Sequence, residues 1–199
     1  MSVNSVSPVL IDVFIKKSSM TALHNVGLTI LGSLFIALTA QVAIPLPFSP
    51  VPITGQTLGV LVTGAILGAN RGALAVLFYL LEGASGLPVF AGLKGGLPYL
   101  IGPTGGYLFG FIPAAYIAGY LAERGWDRNI SKSFLSMTIA NISIYIVGLP
   151  VLAFYTGIEK APLLGLYPFI FGDILKIVFA TFTMPLIWRG LSITNRLKD

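Results

Sequence analysis

An acid and a base lie three residues apart inside an apolar stretch near the end of the chain. Asp173 and Lys176 belong to the run from Tyr167 to Trp188, which has the length and composition of a membrane-spanning helix. At this spacing the two side chains share one helical face. A charge near the bilayer centre costs about 3 kcal/mol on insertion scales, so such residues commonly face a substrate or ion site. Lys176 could hold an anionic group while Asp173 accepts hydrogen bonds or orients the lysine; a structural ion pair is the alternative.

Further polar residues lie at expected interior positions or at the ends of apolar runs. Asn141 and Tyr145 are four residues apart, so an amide and a phenol share a face that suits a neutral polar ring, or else bonds a neighbouring helix. Gln56 could line the same site or cap its own helix, and Lys94 could attract an anion or be solvated. The candidates for substrate binding are Asp173, Lys176, Asn141, Tyr145, Gln56, Thr54, Glu82, Lys94 and Thr104.

The composition predicts an integral membrane protein. Of 199 residues, 55% are hydrophobic and only 10% are charged, with a mean hydropathy of +0.89, whereas soluble domains are about 25% charged. There is no cysteine and one histidine, His24, and no HExxH, Walker A or Rossmann motif. We therefore expect no enzyme, no metal or cofactor and no ATP hydrolysis by this chain.

Six apolar runs predict an all-α protein with six transmembrane helices in a single membrane domain, residues 1–199. The second and third runs are short, and Asn70-Arg71-Gly72 between them indicates a tight turn. One long broken helix, giving five spans, is the alternative, but it would place Arg71 near the lipid midplane. The runs are Val26–Pro45, Gln56–Ala69, Gly72–Leu81, Thr104–Ala122, Phe134–Tyr155 and Tyr167–Trp188.

The basic residues indicate topology rather than nucleic-acid binding. With six spans, residues 1–25 are a cytoplasmic or interfacial segment rather than a signal peptide, residues 26–190 form the core, and both termini are cytoplasmic. Lys94 and Lys160 are then outside and Lys176 is inside the membrane. The nine inner residues are Lys16, Lys17, Arg71, Arg124, Arg128, Lys132, Arg189, Arg196 and Lys198.

Two long outer loops are expected to cap a pocket. The segment from Pro45 to Gln56 holds four prolines and should be stiff. The segment from Glu82 to Gly105 is rich in glycine and proline yet apolar, so we expect it to pack down on the helices as a lid.

Small residues at four-residue spacing could let helices approach closely or form a docking face for another membrane subunit. One ladder runs along the fourth apolar run, a second pair lies on the second run, and a third pair, Ser33 and Ala37, lies on the first. The first two sets are Gly106, Gly110, Ala114 and Ala118, and Gly64 and Gly68.

Four motifs in order resemble the BioY family, the biotin-binding S components of energy-coupling-factor (ECF) transporters. They are PVPITGQTLGVLVTGAILG (Pro50–Gly68), GLPVFAGLKGG (Gly86–Gly96), GPTGGYLFGF (Gly102–Phe111) and Asp173-x-x-Lys176. The resemblance runs from about Leu34 to Lys176. It implies biotin as the transported substrate, a pocket near the outer face, a T component and two ATPase subunits as partners, and a multi-pass position in a prokaryotic cell membrane.

The resemblance also implies roles for individual residues. The acid and lysine of the family's last span correspond to Asp173 and Lys176, and Ser33-x-x-x-Ala37 is similar to an Ala-x-x-x-Ala that other S components use to dock on the T component. An S component for another vitamin, a solitary proton-coupled transporter and a structural membrane subunit are the alternatives.

Overall fold

The computed structural model describes residues 7–14 and 22–196. Lys16, Lys17 and Lys198 of the predicted inner set, and the side chain of Arg196, lie outside the described part. Helices dominate, with one short two-stranded hairpin and a 3-10 turn at Trp126–Arg128. The elements are α1 (Leu10–Phe14), α2 (Ala22–Ala40), β1 (Ala43–Ile44), β2 (Ile53–Thr54), α3 (Gln56–Leu67), α4 (Ala69–Ala84), α5 (Leu97–Ile101), α6 (Gly105–Ala122), α7 (Ile130–Thr156), α8 (Ala161–Gly165) and α9 (Tyr167–Arg196).

Each of the six apolar runs overlaps one helix, and these six helices differ in length. Within the described residues, four stretches are long and apolar enough to cross a membrane: α2, α6, α7 and the stretch Ala161–Leu191 that joins α8 to α9. Helices α3 and α4, with 12 and 16 residues, are shorter. The structure therefore agrees with a helical membrane protein, and α3 and α4 are two separate short helices.

The break between α3 and α4 lies at Gly68, not at the predicted turn Asn70-Arg71-Gly72. Gly68 has φ +88° and ψ 175°, a conformation that is essentially restricted to glycine. The next residue, Ala69, is the first of α4. Its backbone N–H has no acceptor within the helix and donates to a carboxylate oxygen of Glu123 at 2.9 Å. The predicted turn was wrong because Asn70 and Arg71 are polar residues in the first turn of α4. Polar residues are tolerated there once the N–H groups of that turn are bonded.

Helix α6 is the central helix of the bundle. In the most apolar stretch of α6, 61% of the residues are buried, whereas in that of α2 only 33% are buried. Its small residues let backbones approach: a Cβ added to Gly110 would meet the backbone of Ile144 on α7, and one added to Gly64 on α3 would meet the backbone of Ala115 on α6. These two ladders therefore pack inside the bundle.

The all-α prediction treated the four-proline segment as a loop between helices with no strands. The segment instead connects β1, which directly precedes it, to β2 near its end, and in this hairpin Ala43 pairs with Thr54 and Ile44 with Ile53. The tip is tied down because the Ser49 hydroxyl donates to the Leu164 carbonyl at 2.7 Å. We call this end of the bundle the hairpin end.

Side chains also fasten the opposite end. Arg71 forms an ion pair with Asp12 at 2.8 Å, which joins α4 to α1. Trp188 Nε1 donates to Asp127 at 2.6 Å, which joins α9 to the 3-10 turn. Burial raises the pKa of the Asp127 carboxyl, and the Trp188 hydrogen bond and nearby Arg128 partly offset that rise.

Replacing Gly68 with alanine should lower the free energy of unfolding by about 1–3 kcal/mol, because φ +88° is strained for any other residue. Gly27→Ala is the matched control, since Gly27 lies in a helix with open space around its Cα. Thermal unfolding in detergent measures both. An equal loss of stability in the two variants would contradict the role assigned to Gly68.

Candidate ligand-binding site

Asp173 is the centre of a buried polar cluster near the start of α9. The residue is 5% exposed, and its Oδ1 pairs with Lys176 Nζ at 2.8 Å. Its Oδ2 accepts hydrogen bonds from Asn141 Nδ2 at 3.0 Å and from the Tyr145 hydroxyl, both on α7. A carboxylate offers about four lone-pair sites. Three are used here, so Asp173 can accept about one further hydrogen bond from a ligand.

Lys176 connects α9 to the hairpin and to the start of α3. Besides Asp173, its ammonium donates to the Thr57 hydroxyl at 2.6 Å and to the Thr54 backbone carbonyl at 3.1 Å. An ammonium has three N–H donors, so all three are engaged. A ligand anion could bind Lys176 only by replacing one of these three acceptors.

Gln56 makes a second set of polar contacts, next to those of Lys176. It is 5% exposed as the first residue of α3. Its Nε2 donates to the Tyr79 hydroxyl on α4, and its Oε1 accepts from the Thr54 hydroxyl at 3.2 Å. Because β2 runs directly into α3, Thr54 offers its carbonyl to Lys176 and its hydroxyl to Gln56.

These groups face a small cavity of about 50 Å³. That volume is below the range of about 300–1,000 Å³ typical of small-molecule sites, so a ligand of that class enters only if wall side chains move apart. The rest of the wall is largely apolar and aromatic. It is formed by Val51, Pro52, Tyr99, Tyr107, Leu108, Phe111, Ile144 and Phe169.

Two phenols fix parts of this wall. The Tyr107 hydroxyl donates to the Gly165 carbonyl at 2.8 Å and so joins α6 to α8. Burial raises the pKa of the Tyr99 phenol, and a hydrogen bond with Thr104 partly offsets the rise. Tyr99 therefore stays neutral and presents a polar tip beside an apolar ring.

The structure brings most of the predicted site residues together and leaves two apart. Six of them line the cavity, and Asn141 supports Asp173 from α7. Glu82 instead faces α2, and Lys94 is exposed, 5.7 Å from the ring centre of Tyr99 in an adjoining groove. The six are Thr54, Gln56, Thr104, Tyr145, Asp173 and Lys176.

Sequence reasoning missed several wall residues, although a signal for some was present. Thr104, Tyr107, Leu108 and Phe111 follow the spacing i, i+3, i+4 and i+7, which marks one face of α6. Thr57, Tyr99 and Phe169 carried no such signal. They reach the cavity only because of how the start of α3, α5 and the start of α9 come together around it.

Ser33 and Ala37, the predicted docking pair, lie where α2 packs on α4 within the chain. Ser33 is fully buried and Ala37 is 9% exposed. The Ser33 hydroxyl is 3.1 Å from Glu82 Oε1 on α4, so the small residues serve close packing of α2 on α4. Glu82 is thereby a packing residue too, and its Oε2 is buried without a hydrogen-bond partner among the described residues.

The apolar helical bundle encloses a small cavity lined by an acid–base cluster that has no net charge. Such a site suits a small solute, and comparison with known proteins narrows the class of protein. The BioY family model matches residues 15–193. The chain therefore belongs to the BioY family.

Relatives with established names agree over most of the chain. A "Biotin transporter BioY" from Thermotoga maritima is 45% identical over 69% of this chain and 80% of its own length. "Biotin transporter BioY2" from Lactococcus lactis is 34% identical over 88% of this chain and 96% of its own. A solved structure, described as the S-component for biotin from an ECF-type ABC transporter, matches with TM-score 0.76 and 25% identity, covering 86% of this chain and 95% of its own.

Asp173→Asn should destabilise the protein by about 3 kcal/mol, because it leaves the ammonium of Lys176 without a counter-ion. This is the low end for a buried pair, since the Lys176 side chain keeps 16% exposure. The double variant Asp173→Asn/Lys176→Met should recover part of the loss, because no unpaired charge remains. Chemical unfolding in detergent measures the free energy of unfolding of Asp173→Asn, Lys176→Met and the double variant. If the losses in the two single variants simply add up in the double variant, the pair is not coupled.

Proposed function

We propose that this protein is the substrate-binding S component of an ECF-type transporter and that it captures biotin from outside the cell. Its membership of the BioY family and the likeness to a biotin S component support this function. The observation that carries it is the cavity itself, with one buried acid–base cluster among aromatic walls. Transport rather than catalysis is the role of the family, and biotin is the cargo, not a cofactor.

The cavity suits the chemistry of biotin. Biotin has an apolar bicycle, a ureido group with two N–H donors and one carbonyl, and a single carboxylate. Asp173 has about one lone pair left for an N–H donor, and Tyr99 and Tyr107 offer apolar faces to the bicycle. In our proposal Lys176 binds the carboxylate by giving up Thr54 or Thr57 as an acceptor.

The bundle is proposed to sit in a cell membrane with six spans and both termini in the cytoplasm. Arg71 and Arg128 contact residues of the N-terminal segment at the end opposite the hairpin. Lys94 follows α4 at the hairpin end, where the cavity lies. The positive-inside rule then puts the hairpin end outside, where it meets the solute. The short α3 and α4 cross as a hairpin whose outer connections are covered by protein.

Energy for uptake is proposed to come from partners. The chain has no nucleotide-binding motif, so a transmembrane T component and two ATPase subunits would supply ATP hydrolysis. Ser33 and Ala37 remain the proposed docking positions for the T component, although both are buried in the isolated chain.

The purified protein should bind biotin in detergent without ATP or a partner, because the cavity is complete within one chain. Isothermal titration with biotin and with other vitamins tests this directly. Riboflavin or thiamine binding without biotin binding would overturn the assignment of substrate.

Lys176→Ala should weaken biotin binding about 10- to 100-fold, as expected for loss of a buried charge-assisted hydrogen bond. Lys94→Ala, an exposed lysine at the same end, is the control and should change affinity by less than about threefold. Titration with biotin amide identifies the group that Lys176 contacts. A much smaller effect on the amide assigns the carboxylate to Lys176, whereas equal effects would assign the ring or a structural role.

A further inference from the structure

Gln41 lies just beyond the end of α2 and does not line the cavity, yet it makes four polar contacts. Its Nε2 is 3.0 Å from the Ala37 carbonyl and 3.3 Å from the carbonyls of both Val89 and Phe90. Its Oε1 accepts the backbone N–H of Leu93 at 3.1 Å. One side chain thus fastens the segment 89–93 to the end of α2.

The fastened segment contains a conformation that needs support. Leu93 has φ +56°, and it is the only residue other than glycine with a positive φ in the described part of the chain. L-residues rarely adopt this left-handed region, so a turn that contains one must be held by its surroundings. The side-chain oxygen of Gln41 accepts the hydrogen bond of the Leu93 backbone N–H.

Phe90 carries the position of this segment to the cavity. It is completely buried, stacks on Tyr99 with ring centres 5.2 Å apart and meets Tyr79 edge-on at 5.4 Å. Its ring fills the space over Gly83, where a Cβ would overlap it. Tyr99 forms part of the cavity wall, and Tyr79 accepts the hydrogen bond of Gln56, so two site residues depend on where Phe90 lies.

We propose that Gln41 is a positioning residue that sets how long the ligand stays bound. It holds segment 89–93 against α2, the segment seats Phe90, and Phe90 fixes Tyr99 and Gln56 at the cavity. Loss of Gln41 frees the segment and speeds ligand escape without removing any group that touches the ligand. The part that concerns ligand escape rests on the proposed function, whereas the part that concerns the segment does not.

Limited trypsin digestion of the unliganded protein tests whether Gln41 holds the segment. Lys94 is exposed beside the segment and offers a cleavage site. Cleavage after Lys94 should rise about five- to tenfold in Gln41→Ala, a change that corresponds to about one net hydrogen bond. Cleavage after Lys160, in another turn at the hairpin end, is the internal control and should not change.

Biotin dissociation measured by stopped-flow chase tests the consequence. Gln41→Ala should raise the dissociation rate about five- to tenfold, again the equivalent of one net hydrogen bond, with an unchanged melting temperature. Gln41→Glu keeps the acceptor for the Leu93 N–H but places a carboxylate against the Val89 and Phe90 carbonyls. Its biotin dissociation rate should therefore be at least as high as that of Gln41→Ala. Glu159→Ala, an exposed residue at the hairpin end, is the matched control and should match wild type.

The two measurements separate the possible failures. Unchanged cleavage after Lys94 or an unchanged dissociation rate in Gln41→Ala overturns the inference. A wild-type protein that does not bind biotin refutes the proposed function and the escape part with it, while the digestion still decides whether Gln41 holds the segment. A fall in melting temperature with no faster dissociation would assign Gln41 a structural role only, which also overturns the inference.

Discussion

The ammonium of Lys176 is the contact on which the rest of the site depends. It bonds to Asp173 within α9, to the Thr54 carbonyl at the end of the hairpin and to Thr57 in the first turn of α3. Inside an apolar bundle an unpaired charge is costly, so a partner that leaves Lys176 must be replaced by another acceptor. The ammonium therefore fixes α9 against the hairpin and the adjoining start of α3, which lie more than a hundred residues earlier in the sequence.

Asp173 extends the same constraint to α7 through Asn141 and Tyr145. The cluster has no net charge, and most of its hydrogen-bonding groups are already satisfied by protein. A solute that enters must either use the remaining lone pair of Asp173 or replace an existing contact. Such exchange favours a ligand with several polar groups in a fixed arrangement, and it disfavours a simple ion.

The hairpin and the segment 89–93 close the cavity in different ways. The hairpin is tied to α8 and α9 through Ser49 and Lys176, so it responds directly to groups in the site. The segment 89–93 is tied to α2 through Gln41 and reaches the site only through the aromatic contacts of Phe90. Lys176 thus both lines the cavity and holds the hairpin, whereas Gln41 holds the segment 89–93 without lining the cavity.

The sequence by itself determined the membrane class, the approximate positions of six apolar helices, the family and the common helical face of Asp173 and Lys176. The family follows from four short motifs and the rest from composition and helical periodicity, all of which are local properties of the chain. Only the tertiary structure decided that the α3–α4 break lies at Gly68, that Ser33 and Glu82 pack against each other, and that Thr57, Tyr99 and Phe169 face the cavity. Each of these depends on which distant backbone approaches a given side chain, and that approach is set by packing around α6 rather than by any pattern within one segment.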